Sequence, residues 1–172
     1  IKKYAGPDSH KVKKVFKVVN LATAEKYNKH AETKKLNEQL FWHGSRNQNW
    51  FNILQTGLLI RPSGAIHTGS MFGDGIYFAN KAAKSIGYSS FRGSYWTGGN
   101  DSRGYLALFK VNVGNQKHIH RNSHDCYSLN QSKLNKEGFD SVYAHGGADL
   151  RNDEFIVYMP EKCTVAYLVE IG

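Results

Sequence analysis

The spacing of the apolar runs constrains this chain more than any other feature. In the second half, residues 105–113, 141–144, 154–158 and 164–171 each read as a short strand, and no regular helical pattern follows each of them. A doubly wound sheet needs a crossover helix after nearly every strand, so that architecture is disfavoured. In the first half, residues 11–20 (KVKKVFKVVN) alternate Lys with Val and Phe, the period of a half-buried strand. Residues 21–38 are rich in Ala, Glu, Lys and Leu and lack Gly and Pro, which predicts a helix. Leu40, Phe41 and Trp42 read as a short buried strand running into His43-Gly44-Ser45. Residues 49–56 place Trp50, Ile53 and Leu54 on one helical face and stop at Gly57, a suitable C-terminal cap. Residues 61–75 hold one Pro and four Gly and predict a loop, 75–79 a strand, 81–88 a short helix and 89–104 a Gly- and Ser-rich loop. The fold expected is α+β with mostly antiparallel sheet.

The 172 residues suit one domain over 1–172 with a real core, at 40% hydrophobic and 22% charged residues. The chain does not begin with Met, which predicts that it is part of a longer protein. No apolar run approaches the roughly 20 residues of a membrane helix, and the start, Ile1-Lys2-Lys3-Tyr4, lacks a secretory apolar region. Cys126 and Cys163 are too few for a disulfide framework. An intracellular, monomeric domain without membrane contact is expected. The formal net charge is +9, crowded into the first third at Lys2, Lys3, Lys11, Lys13, Lys14, Lys17, Lys26, Lys29, Lys34 and Lys35. Such a run is a solvated face in the simplest case. It also suits attraction to a phosphate-rich cosubstrate, an acidic protein or a nucleic acid.

Several motifs occur in a fixed order: HGS at 43–45, a helix ending in Gly57, a glycine-rich loop, MFGDGIYFA at 71–79, KS at 84–85 with Tyr88 just after, and NDEFIVY at 152–158. This ordered set resembles the catalytic domain of the poly(ADP-ribose) polymerase family, in the diphtheria-toxin-like branch of ADP-ribosyltransferases. The resemblance spans about residues 40–171. It implies an ADP-ribosyltransferase fold: two mostly antiparallel sheets forming a split core, a few flanking helices and an NAD cleft. It also implies an enzyme that takes NAD as cosubstrate, releases nicotinamide and passes ADP-ribose to an acceptor, with no metal. The family's helical regulatory domain does not fit in the few residues before 40.

Cleaving the N-glycosidic bond of NAD builds positive charge on the ribose. A site for it must grip the nicotinamide, stabilise an oxocarbenium-like ribose and place a nucleophile opposite the leaving group. Gly44 lets backbone N–H and C=O approach a carboxamide, which needs one donor and one acceptor, and Ser45 adds a hydroxyl. The resemblance implies that Gly44 and Ser45 hold the nicotinamide amide, His43 the adenosine-side ribose, and Tyr88 and Tyr77 the nicotinamide ring by stacking and by lining the opposite wall. Lys84 and Ser85 join the NAD-binding set. Of the adjacent acids Asp153 and Glu154, which strand alternation puts on opposite faces, the family register selects Glu154. A carboxylate there can bind the ribose 2′-OH and oppose the developing charge. Asn49, Arg61 and Ser63 are further NAD-binding candidates, Arg61 toward the pyrophosphate or adenine.

His43, Tyr77 and Glu154 together match the family's His-Tyr-Glu triad, which permits polymer formation. Met71 and Lys84 are also present. Asn152 departs from the pattern, since several polymer-forming members carry Tyr two residues before the Glu. Single-unit transfer is therefore the alternative, and a silent NAD or ADP-ribose binding module is another. The acceptor expected is a protein, with nucleic acid as an option. His118, His120, His124 and Cys126 are zinc-ligand types in one short stretch, but their spacing fits no standard finger and no metal is expected.

Overall fold

A computed structural model describes residues 1–60 and 70–172. The elements run α1 (Lys2–Ala5), β1 (Val12–Lys17), α2 (Leu21–Thr33), β2 (Glu38–Gly44), α3 (Trp50–Thr56), β3 (Ile76–Phe78), α4 (Ala82–Ile86), β4 (Gly104–Asn112), β5 (Gln116–Ile119), α5 (Gln131–Lys136), β6 (Ser141–Ala144), β7 (Glu154–Val157) and β8 (Cys163–Ile171). They form two four-stranded sheets, in the orders β1-β8-β4-β2 and β3-β7-β6-β5. Every pairing is antiparallel except β5 with β6.

Strand alternation assigns each sheet two apolar faces. Between the sheets, Phe41 and Phe109 of the first meet Phe78, Phe155 and Val157 of the second, with the Phe41 and Phe155 rings stacked at 4.0 Å. On the outer face of the first sheet, Trp42, Leu106, Leu108 and Val169 are covered by Ala82 and Ile86 of α4. On the outer face of the second, Val142, Ala144 and Ile156 pack against Phe72 and Leu134. The two sheets touch where the backbones of Trp42 and Ala79 exchange hydrogen bonds of 2.8 and 2.9 Å. That contact sets the end of β2 beside the end of β3.

Most expected elements are present, with some corrections, among them the short α1, which was not expected. The helix expected over 21–38 stops at Thr33. Asn37 is instead drawn to the end of β4, where its N–H bonds Asn112 Oδ1 at 2.9 Å and its carbonyl accepts from Val113 at 3.0 Å. Tertiary pairing overrides helix propensity there. The first strand is not half-buried: β1 pairs only with β8, and Val15 and Phe16 are 42% and 44% exposed. β5 and α5 were not foreseen. The sequence of β5, Gln116-Lys117-His118-Ile119, is too polar to show a strand period.

The start of α2 is capped by Asn20, whose Oδ1 accepts from Thr23 N at 3.0 Å while its Nδ2 donates to the carbonyls of Leu54 and Gln55. α3 ends as expected at Gly57, with φ 81° and its N–H on Ile53 O at 2.9 Å. Among the described residues no helix is long and apolar enough to cross a membrane. Both cysteines are free and buried.

Candidate active site

The end of β2, β3, α4 and the start of β7 enclose a cavity of about 440 Å³, within the ~300–1,000 Å³ usual for small-molecule sites. His43, Gly44, Ser45, Asn49, Tyr77, Lys84, Ser85, Tyr88 and Glu154 all line it. Sequence reasoning thus named nine of its walls. Arg61 and Ser63 lie outside the described residues.

Gly44 closes the last pair of β2 with Leu106 of β4. A Cβ at this position would sit 1.9 Å from the carbonyl oxygen of Ser85 and 2.7 Å from its carbonyl carbon. Only glycine lets α4 approach β2 so closely, and this contact puts Ser85 against the HGS turn. Ser85 is 3% exposed. Ser45 Oγ accepts a bond from Asn49 Nδ2 at 2.9 Å, which leaves the serine its own O–H to donate.

His43 Nδ1 lies 3.0 Å from the carbonyl oxygen of Tyr77. A carbonyl only accepts, so Nδ1 carries the hydrogen. In the neutral ring, Nε2 is then an acceptor, suited to a hydroxyl that donates. The rings of Trp50, Phe78 and Phe109 stand edge-on around it at 6.4, 5.9 and 6.0 Å. Burial pushes the imidazole pKa down, against the weaker effect of the Tyr77 carbonyl, and favours this neutral form. The geometry thus makes the open nitrogen of His43 an acceptor.

Tyr77 does more than line a wall. Its hydroxyl donates to Gly73 O at 2.7 Å and accepts from Phe72 N at 3.1 Å, so it ties the turn before β3 to the cavity. Tyr88 stands 40% exposed just after α4. Burial and the nearby Glu154 charge both raise its pKa, so it stays a neutral phenol.

Glu154 begins β7 and is 9% exposed. Its Oε1 is ion-paired with Lys84 Nζ from α4. The pair fixes the direction of the carboxylate at the cavity wall. Lys84, expected on NAD, is found first on this carboxylate. Asp153 points elsewhere, as alternation requires. Although burial opposes it, hydrogen bonds from Gly146 N, Tyr143 OH and Asn80 Nδ2 hold its carboxyl below the usual range. Asp153 braces the second sheet, and Glu154 faces the cavity.

Sequence reasoning missed Arg46, Leu58, Leu59, Asp74 and Thr97, which also line the cavity. Arg46 follows the HGS motif directly and could have been found by that adjacency. The others come from loops with no periodic signal. The histidine stretch does not gather as a metal set: His118 Nδ1 bonds His145 Nε2 at 2.7 Å, His120 stacks on His145 at 4.1 Å, and Cys126 packs in the core beside Ser123. Among the described residues there is no group of three or more His, Cys, Asp or Glu placed to hold a metal ion.

Two mostly antiparallel sheets meet at this glycine-bordered cavity, with a carboxylate and two tyrosines in its lining, the α+β arrangement of an ADP-ribosyltransferase catalytic domain. The chain matches the family model of the poly(ADP-ribose) polymerase catalytic domain over residues 2–172, and it belongs to that family. It is 32% identical over 163 residues to the poly(ADP-ribose) polymerase-like protein 100L of Invertebrate iridescent virus 6, covering 92% of this chain and 84% of the viral protein. It is 33% identical over 181 residues to the Drosophila melanogaster poly(ADP-ribose) polymerase, covering 92% of this chain and 17% of that one. It is 31% identical over 160 residues to poly(ADP-ribose) polymerase 2 of Homo sapiens, covering 78% and 26%. The chain thus spans most of the viral relative and about a sixth to a quarter of the other two.

Proposed function

We propose that this domain cleaves NAD in the cavity beside Gly44 and transfers the ADP-ribose to a protein acceptor, with chain elongation permitted by His43, Tyr77 and Glu154. The observation that carries this is the Lys84-paired carboxylate of Glu154 on the same cavity as the backbone of Gly44.

Nicotinamide lies between Tyr88 and Tyr77, its carboxamide on the Gly44 backbone and on the hydroxyls of Ser45 and Ser85. His43 Nε2 accepts from a hydroxyl of the adenosine-side ribose. As the glycosidic bond lengthens, positive charge grows on the nicotinamide ribose and the bonding electrons leave with nicotinamide. The Glu154 carboxylate, held by Lys84, accepts from the ribose 2′-OH and opposes that charge more strongly in the transition state than in the ground state. Its second oxygen can orient an incoming acceptor hydroxyl and take up its proton. Arg46, on the cavity wall, and Arg61 offer charge to the pyrophosphate.

The single-unit alternative has one specific support: Asn152, just before the two acids, stands where polymer-forming members often carry Tyr. Incubation with labelled NAD distinguishes the two. A ladder of products supports elongation, and one sharp modified band supports single-unit transfer, with Asn152→Tyr the variant to convert it.

A further inference from the structure

The loop of residues 89–103 is far more ordered than a Gly- and Ser-rich sequence suggests. Thr97 Oγ1 donates to Ser89 O at 2.5 Å, Gly98 N to Ser94 O at 2.9 Å, Arg92 N to Asp101 O at 2.9 Å and Asp101 N to Ser90 O at 2.9 Å. The loop folds back so that Trp96 N donates to Gly87 O at 2.9 Å. A Cβ on Gly87 would stand 2.9 Å from Trp96 Cδ1, so glycine at 87 is what lets the indole close on the end of α4.

The outcome of this ordering is an indole that is 61% exposed. It is stacked on Tyr88 with centroids 5.9 Å apart and planes within 20°. Tyr95 meets it edge-on at 4.6 Å. Tyr88 and Thr97 line the cavity, and Trp96, between them in the loop, does not. Trp96 thus backs the ring of Tyr88 without touching the cavity. Among the described residues no hydrogen bond fixes the Tyr88 hydroxyl, so ring packing sets the orientation of this side chain.

We propose that Trp96 is a positioning residue for the nicotinamide half of NAD: it holds Tyr88 as a preorganised stacking wall, through a loop that Gly87 allows to close. The inference rests on the proposed placement of nicotinamide against Tyr88. A ring already held at its binding angle loses less freedom when the ligand stacks on it, and this favours binding. The effect is confined to ligands that carry the nicotinamide ring.

Trp96→Ala should raise KM for NAD and the inhibition constant of free nicotinamide together, by about 3- to 10-fold, the range of one aromatic pair. The turnover number should change much less. Binding of ADP-ribose, which lacks the ring, should be unchanged, and Trp96→Phe should restore most of the loss. Unaltered KM and nicotinamide inhibition in Trp96→Ala would overturn the inference. So would an equal loss of ADP-ribose binding, which marks a general structural role. A different pattern separates failure of the underlying site: if Tyr88→Ala also leaves nicotinamide inhibition unchanged, the ring does not lie against Tyr88 at all.

Discussion

The first sheet has two edges with opposite surroundings. At one edge, β1 carries Lys13, Lys14 and Lys17 into solvent and leaves Val15 and Phe16 about two-fifths exposed. Lysines on an exposed edge strand discourage pairing with other chains. At the other edge, Phe41 and Trp42 of β2 are 6% and 1% exposed, covered by the second sheet and α4. The candidate site sits at the covered edge. There a low-dielectric wall strengthens an ion pair, and a missing Cβ brings two backbones together. Only three of the 23 Lys and Arg residues, Lys13, Lys14 and Lys17, belong to the open edge strand, and the cavity wall holds just Arg46 and Lys84 among its described residues, so charge alone does not mark the site.

If the covered edge is the functional one, the largest effect should come from filling its closest contact. Gly44→Ala places a methyl within 1.9 Å of the Ser85 carbonyl oxygen. The displacement of α4 should cut kcat/KM for NAD by at least about 100-fold and lower the melting temperature, measured by nicotinamide release and thermal denaturation. Next is the ion pair. Lys84→Met should reduce turnover by about 10- to 100-fold with NAD affinity much less affected, because it frees the carboxylate that faces the developing charge.

A smaller effect concerns pH. Burial lowers the His43 pKa, so below about pH 6.5 the unfolded chain takes up a proton that the folded ring resists. The stability linked to His43 is therefore present in full above that value and lost as pH falls toward the folded pKa. His30 and His145 are shifted the same way, each first by its own burial. The measure is thus the difference in melting temperature between wild type and His43→Gln across pH 7 to 5. The gap should change with pH, and wild-type NAD affinity should weaken on acidification as Nε2 becomes protonated. A gap independent of pH would remove His43 from this role. The smallest effect belongs to the open edge. Lys13, Lys14 and Lys17 changed together to Gln should leave kcat/KM within about twofold, as for surface substitutions in general. A large loss there would erase the contrast between the two edges.

The elements legible in the sequence were those with strong periodicity and few competing contacts. β4, β7 and β8 are apolar runs and appear within a residue or two of their expected bounds. β5 was hidden because its strand is polar, and the end of α2 because Asn37 is claimed by Asn112, 75 residues away. The site was legible wherever a motif carried it: HGS, the strand of Tyr77, Lys84-Ser85 and Glu154. What could not be read was who meets whom. The Lys84–Glu154 pair, the Ser85 carbonyl under Gly44 and the indole behind Tyr88 are contacts between segments that nothing in the local sequence links.

The most direct test of the central claim is to compare wild type with Glu154→Gln for nicotinamide release from NAD, alongside NAD affinity by calorimetry. The expected result is retained binding with turnover lower by about 100- to 1,000-fold, the usual cost of removing one group that stabilises developing charge. Undiminished nicotinamide release by the variant, with binding intact, would contradict it and move the chemistry away from this carboxylate.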